Sequence, residues 1–142
     1  MFRINNKQES INKNKGKIMI DKRVGLESDI ILNKADSLAK KIYEISRRFP
    51  KNEQFGITSQ VRRAALSIPL NIVEGYARIS RQDHRRFLEI SLGSARETKY
   101  LIYFSYEQAI MTEKIKDELL DLADEISRLL WSKIKTLRKS ET

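Results

Sequence analysis

Apolar side chains recur along most of this chain at intervals of three and four residues, which is the spacing of one helix face. The first such run places six residues on a narrow seam: Ile31, Ala35, Leu38, Ile42, Ile45 and Phe49. Ser28 is a suitable N-cap before the run, and Pro50 stops a helix behind it. The pattern therefore predicts a helix over residues 28–48 that packs against an antiparallel neighbour.

A second run follows another turn signal and predicts a helix over residues 57–77. Its apolar face consists of Ile57, Val61, Ala64, Ala65, Ile68, Ile72 and Tyr76. We expect Thr58 or Ser59 to cap its start. Pro69 lies inside the run and has no backbone donor, so a kink is expected there unless Ser67 or Asn71 bonds the freed carbonyl.

Two longer periodic runs predict helices over residues 81–110 and 113–137. Ser80 and Asp83 resemble a capping box at the start of the first, and Thr112 is a suitable cap for the second. All the connections are short, so consecutive helices should be antiparallel neighbours.

The last helix carries an apolar seam of Ile115, Leu119, Leu122, Ile126, Leu129 and Leu130. Trp131, Ile134 and Leu137 add a second apolar stripe to it. Together the four runs predict an all-α fold, an antiparallel up-down-up-down four-helix bundle over residues 28–139.

Residues 1–27 differ from the rest, because they are polar, rich in Lys and Asn, and show no sustained helical face. Seven bases stand against three acids there, which predicts a flexible, disordered basic N-terminal arm. Such an arm can add phosphate contacts. The segment can equally be a translated leader, with Met19 as the natural start.

Composition narrows the class of protein and its partners. The chain has 142 residues, no Cys, a formal net charge of +9 and a pI of about 9.8. The length suits one domain, and the charge favours polyanionic partners. The longest apolar runs are only a few residues, and no signal peptide is evident, so we expect a cytoplasmic protein without membrane contact.

The sequence has few residues in patterns that are typical of a catalytic site. His84 is the only histidine, and it lies in an arginine-rich turn. Without Cys, and with scattered acids, no zinc or paired-carboxylate site stands out, and no Gly-rich phosphate loop is present. We therefore expect no enzyme activity, no metal site and no cofactor.

The clearest functional signal is a concentration of arginines between Ile57 and Arg86. Six arginines stand there against two acids: Arg62, Arg63, Arg78, Arg81, Arg85 and Arg86. A guanidinium group is planar and suits phosphate geometry, so these residues are candidate contacts to the phosphates of RNA or DNA. They can otherwise form a solvated face or contacts between subunits.

An aromatic cluster near the end of the third predicted helix is the second candidate site. Its members are Tyr100, Tyr103, Phe104 and Tyr106. These side chains are spread around the helix and cannot all face one core. They predict an interface with another subunit or with a partner protein.

Three stretches also resemble a known family. They are FPKNEQFGITSQVRRAALSIPLNIVEG, SRQDHRRFL and GSARE, in that order, and the similarity extends over roughly residues 30–138. The strings TSQ-x-RRA and SIP-x-NI-x-EG are its most specific parts. By these motifs the chain resembles the four-helix-bundle proteins encoded in intervening sequences of bacterial 23S ribosomal RNA genes.

This resemblance implies further properties. The related bundles form pentameric rings, so it implies a homopentamer. It also implies kinship with accessory proteins of diversity-generating retroelements, which pair with a reverse transcriptase and bind nucleic acid through a basic surface. Two hypotheses follow: a homo-oligomeric protein that binds structured RNA, such as ribosomal RNA, or a mobile-element nucleoprotein, and a protein-interaction adaptor, for example for a reverse transcriptase, that does not itself bind nucleic acid.

Overall fold

The computed structural model describes residues 20–140, which form four long helices. They are α1 (Ile30–Ser46), α2 (Ile57–Tyr76), α3 (Arg81–Glu107) and α4 (Glu113–Lys139). Short 3-10 turns at Lys22–Val24 and Lys51–Glu53 precede α1 and α2, and the described part of the chain contains no strand. The predicted all-α class is therefore confirmed.

The four helices form a closed ring of neighbours. Each helix packs on the next and α4 packs back on α1, whereas the backbones of the diagonal pairs do not approach closely among the described residues. The seams meet in one core that includes Leu38, Ile68, Ile102, Ile126 and Leu130, each of them fully buried. This is the predicted up-down-up-down bundle. Within residues 20–140, none of the helices is both long and apolar enough to cross a membrane.

The helix starts show which polar residues are used as caps. Ser80 accepts a hydrogen bond from the Asp83 amide, and Thr112 caps α4 in the same way, as predicted. The predicted cap Ser28 is wrong. Asp29 caps α1 instead, because its carboxylate accepts the Leu32 amide at 2.7 Å while its backbone is still extended.

The start of α2 also differs from the prediction. The helix begins at Ile57, and its N-cap Gly56 offers no side chain. Glu53 reaches the Ile57 amide at 3.4 Å from the preceding 3-10 turn, so Thr58 and Ser59 lie inside the helix and do not cap it.

The third helix ends at Glu107 and does not run to Ile110 as predicted. Ala109 takes a left-handed conformation with φ of 58°. The Ala109 amide bonds the Tyr106 carbonyl and the Ile110 amide bonds the Ser105 carbonyl, each at 2.9 Å. These two bonds form a Schellman motif, which closes the last turn of a helix.

Residues 20–27 are also unlike the expected arm. Asp21 caps the turn at Lys22–Val24, and Ile20 and Leu26 pack against the core. These two apolar side chains attach the segment to the bundle. The rest of the predicted arm, residues 1–19, lies outside the described residues, as do 141 and 142.

Pro69 is buried, and α2 is helical on both sides of it. Asn71 donates to the Ser67 carbonyl at 2.8 Å, and Ser91 of α3 donates to the Ile68 carbonyl at 2.8 Å. Ser67 and Ser94 share a further hydrogen bond of 2.9 Å. Polar side chains therefore join α2 and α3 around the proline.

Candidate nucleic-acid interface

The structure divides the six predicted arginines between two ends of the bundle. Arg62 and Arg63 lie in the first half of α2, beside the end of α1. Arg78 lies beyond the other end of α2, about 24 Å further along the helix axis at 1.5 Å per residue. Arg81, Arg85 and Arg86 lie at that same far end, in the first turns of α3: the six do not form one surface.

Arg62 serves the packing of α1 against α2. Its Nε donates to Ser46 Oγ at 2.7 Å, and its guanidinium lies 4.8 Å from the centre of the Tyr43 ring. Arg63 is exposed and donates to Gln60 one turn earlier at 3.0 Å. Neither residue lies near the other predicted arginines.

The remaining four arginines join a second basic segment that comes from α4. We call this surface the basic end, and it consists of Arg78, Arg81, Arg85, Arg86, Lys135, Arg138 and Lys139. Glu89 Oε1 links its two parts, because it accepts Arg85 at 3.2 Å and Arg138 at 3.5 Å. Residues 78–89 and 128–139 together carry nine Lys and Arg against two acids. The surface is therefore strongly positive. Asp83 and Glu89 are the acids within those two segments, and Glu74 near the end of α2 adds a third acid beside Arg78.

Two of these arginines are held against an aromatic ring. Arg78 lies 4.6 Å and Arg86 lies 4.9 Å from the centre of the Phe87 ring. Arg78 also pairs with Glu74, and Arg86 lies 3.9 Å from Asp83. Both side chains stay accessible, with 41% and 62% of their area exposed, so their guanidinium groups can be reached from solvent.

The basic end depends on a close contact between the last turn of α2 and the first turns of α3. Gly75 is buried, and a Cβ built on it would lie 3.0 Å from the His84 ring and 3.3 Å from Phe87 Cβ. Next to it, the Tyr76 hydroxyl donates to Asp29 at 2.5 Å. Asp29 thus caps α1 and fixes the end of α2, which places the α2–α3 turn.

His84 is partly buried under this turn. Its ring centre lies 4.7 Å from that of Tyr76, and its Nε2 is buried without a hydrogen-bond partner. Burial lowers the pKa of His84 and Lys133 lowers it further, while Asp29 acts in the opposite direction. No group of three His, Cys, Asp or Glu residues that could hold a metal occurs among the described residues.

Trp131 is a feature of this surface that the sequence interpretation missed. The periodicity assigns it to an apolar stripe of α4, but 45% of it is exposed. Lys135 lies 5.9 Å and Arg138 lies 5.8 Å from its ring centre. The signal in the sequence was the placement of the bases one and two turns after the tryptophan, on its own face of the helix.

The aromatic cluster lies at the opposite end of the bundle. Tyr100, Tyr103 and Phe104 are 63%, 49% and 40% exposed, whereas Tyr106 is partly buried with the Lys116 ammonium 4.3 Å from its ring centre. An open groove of about 610 Å³ lies between this part of α3 and the loop before α2. It is lined by Pro50, Asn52, Glu53, Ile57, Gln60, Tyr100, Leu101, Phe104, Gln108 and Ile110.

A further apolar surface runs along the outside of α2 and α3. Its members, which we call the outer face, are Leu66, Leu70, Val73, Ile90 and Gly93. The four large side chains are between 36% and 59% exposed. A Cβ built on Gly93 would meet nothing within 4 Å, so packing within the chain does not require this glycine.

Comparison with known proteins shows what this bundle is similar to. A search of the curated proteins found no match. One similar solved structure is the crystal structure of a protein of unknown function from the S23 ribosomal protein family of Bacteroides thetaiotaomicron VPI-5482. The two are 28% identical, the match covers 75% of this chain and 99% of that one, and the TM-score is 0.68. The family model described as 23S rRNA-intervening sequence protein matches residues 27–132, and the chain therefore belongs to that family.

Proposed function

We propose that the protein is a non-enzymatic nucleic-acid-binding protein that contacts phosphates through the basic end. The observation that carries this proposal is the meeting of two basic segments at Glu89, where Arg85 and Arg138 share one carboxylate oxygen. One segment alone would give a few dispersed charges. Together they give a surface with the charge density that attracts a polyanion.

The arrangement suits contacts to the backbone of a nucleic acid. Arg78 and Arg86 are held on Phe87, so less side-chain entropy is lost when they bind a phosphate. Phosphate contacts give affinity and position but carry no sequence information. We therefore expect binding that depends on the shape and charge of the target.

The first experiment measures binding of a labelled RNA hairpin and a matched DNA duplex across a salt series. Each phosphate neutralised contributes about 0.9 to the slope of log affinity against log salt for duplex DNA. We expect a steep linear decline, and a preference for the hairpin would favour a ribosomal RNA target. Absence of binding at low salt by folded protein would refute the proposal.

A matched pair of charge reversals locates the surface. Arg81→Glu with Arg86→Glu changes the basic end, and the slope should fall by about one for each phosphate that these arginines neutralise in the parent. Arg48→Glu with Arg63→Glu makes the same change in charge at exposed positions of the opposite end. If both pairs weaken binding equally, only the net charge matters and the basic end is not the site.

We also propose that the chain assembles with copies of itself through the outer face, in a pentamer as the family resemblance implies. Leu66, Leu70 and Val73 are apolar and exposed on one face of α2, which is typical of a surface covered in an oligomer. Leu70→Glu should lower the mass measured by light scattering, whereas Ser132→Glu on exposed α4 should not. Identical masses for both variants and the parent would contradict this interface.

A second candidate function is supported by the aromatic end. Exposed Tyr100 and Phe104 border the groove of about 610 Å³, which suits a peptide or helix from a partner protein. In this alternative the protein is an adaptor, for example for a reverse transcriptase, without nucleic-acid binding of its own. Tyr100→Ala or Phe104→Ala would then reduce capture of the partner, and the parent itself would not bind the RNA hairpin.

A further inference from the structure

We propose that Trp131 is a stacking platform for an unpaired base of a single-stranded RNA or DNA segment. This inference rests on the proposed function and extends it, because it assigns to the basic end a contact that reads base faces as well as phosphates. It concerns Trp131 of α4, which the periodicity assigned to a second apolar stripe of the helix.

The first support is the arrangement of charges around the indole ring. Arg128, Lys135 and Arg138 lie three residues before it, four after it and seven after it, which places them on its side of the helix. The ring centre is 5.9 Å from Lys135 and 5.8 Å from Arg138. A base stacked on the exposed part of the ring would thus have cations within reach of the phosphates on both sides of it.

The second support is the positive charge of this face, which selects against some kinds of partner. Residues 128–139 contain five bases and no acid, so a second copy of this chain that presents this same face would meet like charge. An anionic partner is favoured, and an exposed aromatic ring among the cations favours one that also offers flat apolar groups. Nucleic acids combine phosphates with such groups in every nucleotide.

The third support is continuity with the phosphate site. Arg138 lies over the Trp131 ring and also bonds Glu89, which in turn bonds Arg85 on α3. A strand that stacks on Trp131 can therefore continue onto the arginines of α3. Only an unpaired strand can do both, because the base faces of a duplex are covered by their neighbours in the stack.

Trp131 is the only tryptophan of the chain, so its fluorescence reports the proposed contact directly. The test titrates the full-length protein with oligo(U) and oligo(dT) of about 12 nucleotides, a length within the usual site sizes of single-strand binders. A duplex of the same length and inorganic polyphosphate serve as ligands that offer phosphates without free base faces. We expect both single strands to quench the emission and the other two ligands to bind with little quenching.

Substitutions separate stacking from charge. Trp131→Ala should weaken single-strand binding about 5-fold to 150-fold, the range for loss of one stacked base, and should change duplex binding less than about 2-fold. Trp131→Phe keeps a ring and should retain most of the affinity. Phe55→Ala, which removes a 91% exposed aromatic ring at the opposite end, is the control and should bind as the parent does.

The outcomes distinguish the two proposals. If the single strands bind without quenching, or if Trp131→Ala weakens single strands and duplex alike, the stacking platform is refuted and the phosphate surface remains. If none of the ligands binds at low salt, the proposed function fails as well. Both variants should have the unfolding temperature of the parent. If they do, a Trp131→Phe variant that loses as much affinity as Trp131→Ala would also overturn the stacking role.

Discussion

At the scale of single residues, Gly75 controls how closely α2 approaches α3. A side chain there would enter a space bounded by the His84 ring, the His84 carbonyl and Phe87 Cβ. We predict that Gly75→Leu lowers the free energy of unfolding by about 1–3 kcal/mol, because the extra atoms overpack this contact. Denaturant unfolding measures the change.

Gly93 gives the contrasting case for that experiment, since nothing within 4 Å would meet its Cβ. In the Leu70→Glu variant, whose outer face is proposed to be uncovered, Gly93→Ala should raise the free energy of unfolding by about 0.5–1 kcal/mol, the usual gain when alanine replaces glycine inside a helix. A loss of stability from Gly93→Ala in the parent, but not in that variant, would indicate that another copy of the chain packs on the outer face. Gly75→Leu with parental stability would contradict the close approach.

His84 predicts how stability depends on pH. Its pKa is lowered in the folded state by burial and by Lys133, against an opposing effect of Asp29, and the aromatic ring of Tyr76 covers one side. The unfolded chain therefore binds this proton first as the pH falls below the ordinary histidine pKa of about 6.5. The contribution of His84 to the free energy of unfolding is therefore fully present above that pH and decreases as the pH falls below it.

The test compares the parent with His84→Gln, and His84 is the only histidine. Between about pH 7.5 and about pH 5.5, the parent should lose more unfolding free energy than the variant does, at a rate below the limit of about 1.4 kcal/mol per pH unit for one proton. Parallel curves for the two proteins would show that His84 does not titrate differently on folding.

At the scale of the elements, the end of α3 is held by a strained residue. Ala109 has φ of 58°, a conformation that costs a residue with a Cβ about 1–2 kcal/mol. We predict that Ala109→Gly raises the free energy of unfolding by about 1 kcal/mol, because glycine is the usual residue at this position of a Schellman motif. Thermal or denaturant unfolding measures it.

The matched control is Ala77, the C-cap of α2, whose φ of −79° requires no glycine. Ala77→Gly should lower the free energy of unfolding by a few tenths of a kcal/mol, because glycine gives the unfolded chain more conformational freedom. Equal changes in unfolding free energy for Ala109→Gly and Ala77→Gly would mean that the left-handed conformation of Ala109 is not the cause of the stabilisation.

The contact between α1 and α2 gives a prediction for Arg62. Its bond to Ser46 and its stacking on Tyr43 are contacts between the two helices. Arg62→Ala should cost about 1–2 kcal/mol of unfolding free energy and leave RNA affinity within about 2-fold. Arg63→Ala removes a bond to Gln60 within the same helix and should cost less than about 0.5 kcal/mol of unfolding free energy.

At the scale of the whole molecule, Glu89 sets the charge of the basic end. It accepts both Arg85 and Arg138, so it neutralises part of the surface that is proposed to bind phosphate. We predict that Glu89→Gln tightens RNA binding at low salt by about 1.5-fold to 5-fold, the range expected from one exposed charge interaction. Fluorescence anisotropy with the labelled hairpin measures it.

Glu118, an exposed acid in the opposite half of α4, provides the comparison. Glu118→Gln makes the same change in net charge away from the basic end and should leave affinity nearly unchanged. If Glu89→Gln weakens binding, the carboxylate positions the arginines more than it neutralises them, and the charge argument is wrong.

Local signals in the sequence predicted much of the fold and less of the site. Ser80 and Thr112 cap helices as expected, since a cap involves residues only a few positions apart. Arg62 could not be separated from Arg78 by composition, because both stand in the same basic stretch and only packing shows that one contacts Ser46. Trp131 follows buried Leu130 in a helix that has apolar residues on adjoining stripes, so periodicity alone did not decide which stripe faces the core.

The sequence by itself determined the class of fold, the number of helices, the family and the positive charge. These follow from the periodicity of apolar residues, from short motifs and from counts of ionisable groups, none of which depends on distant contacts. Only the tertiary structure decided that the arginines of α3 lie beside the basic C-terminal segment of α4, that Arg62 is used in packing, and that Trp131 is exposed. The reason is physical: a surface is made by residues far apart in the chain, and the packing of the helices determines which of them meet.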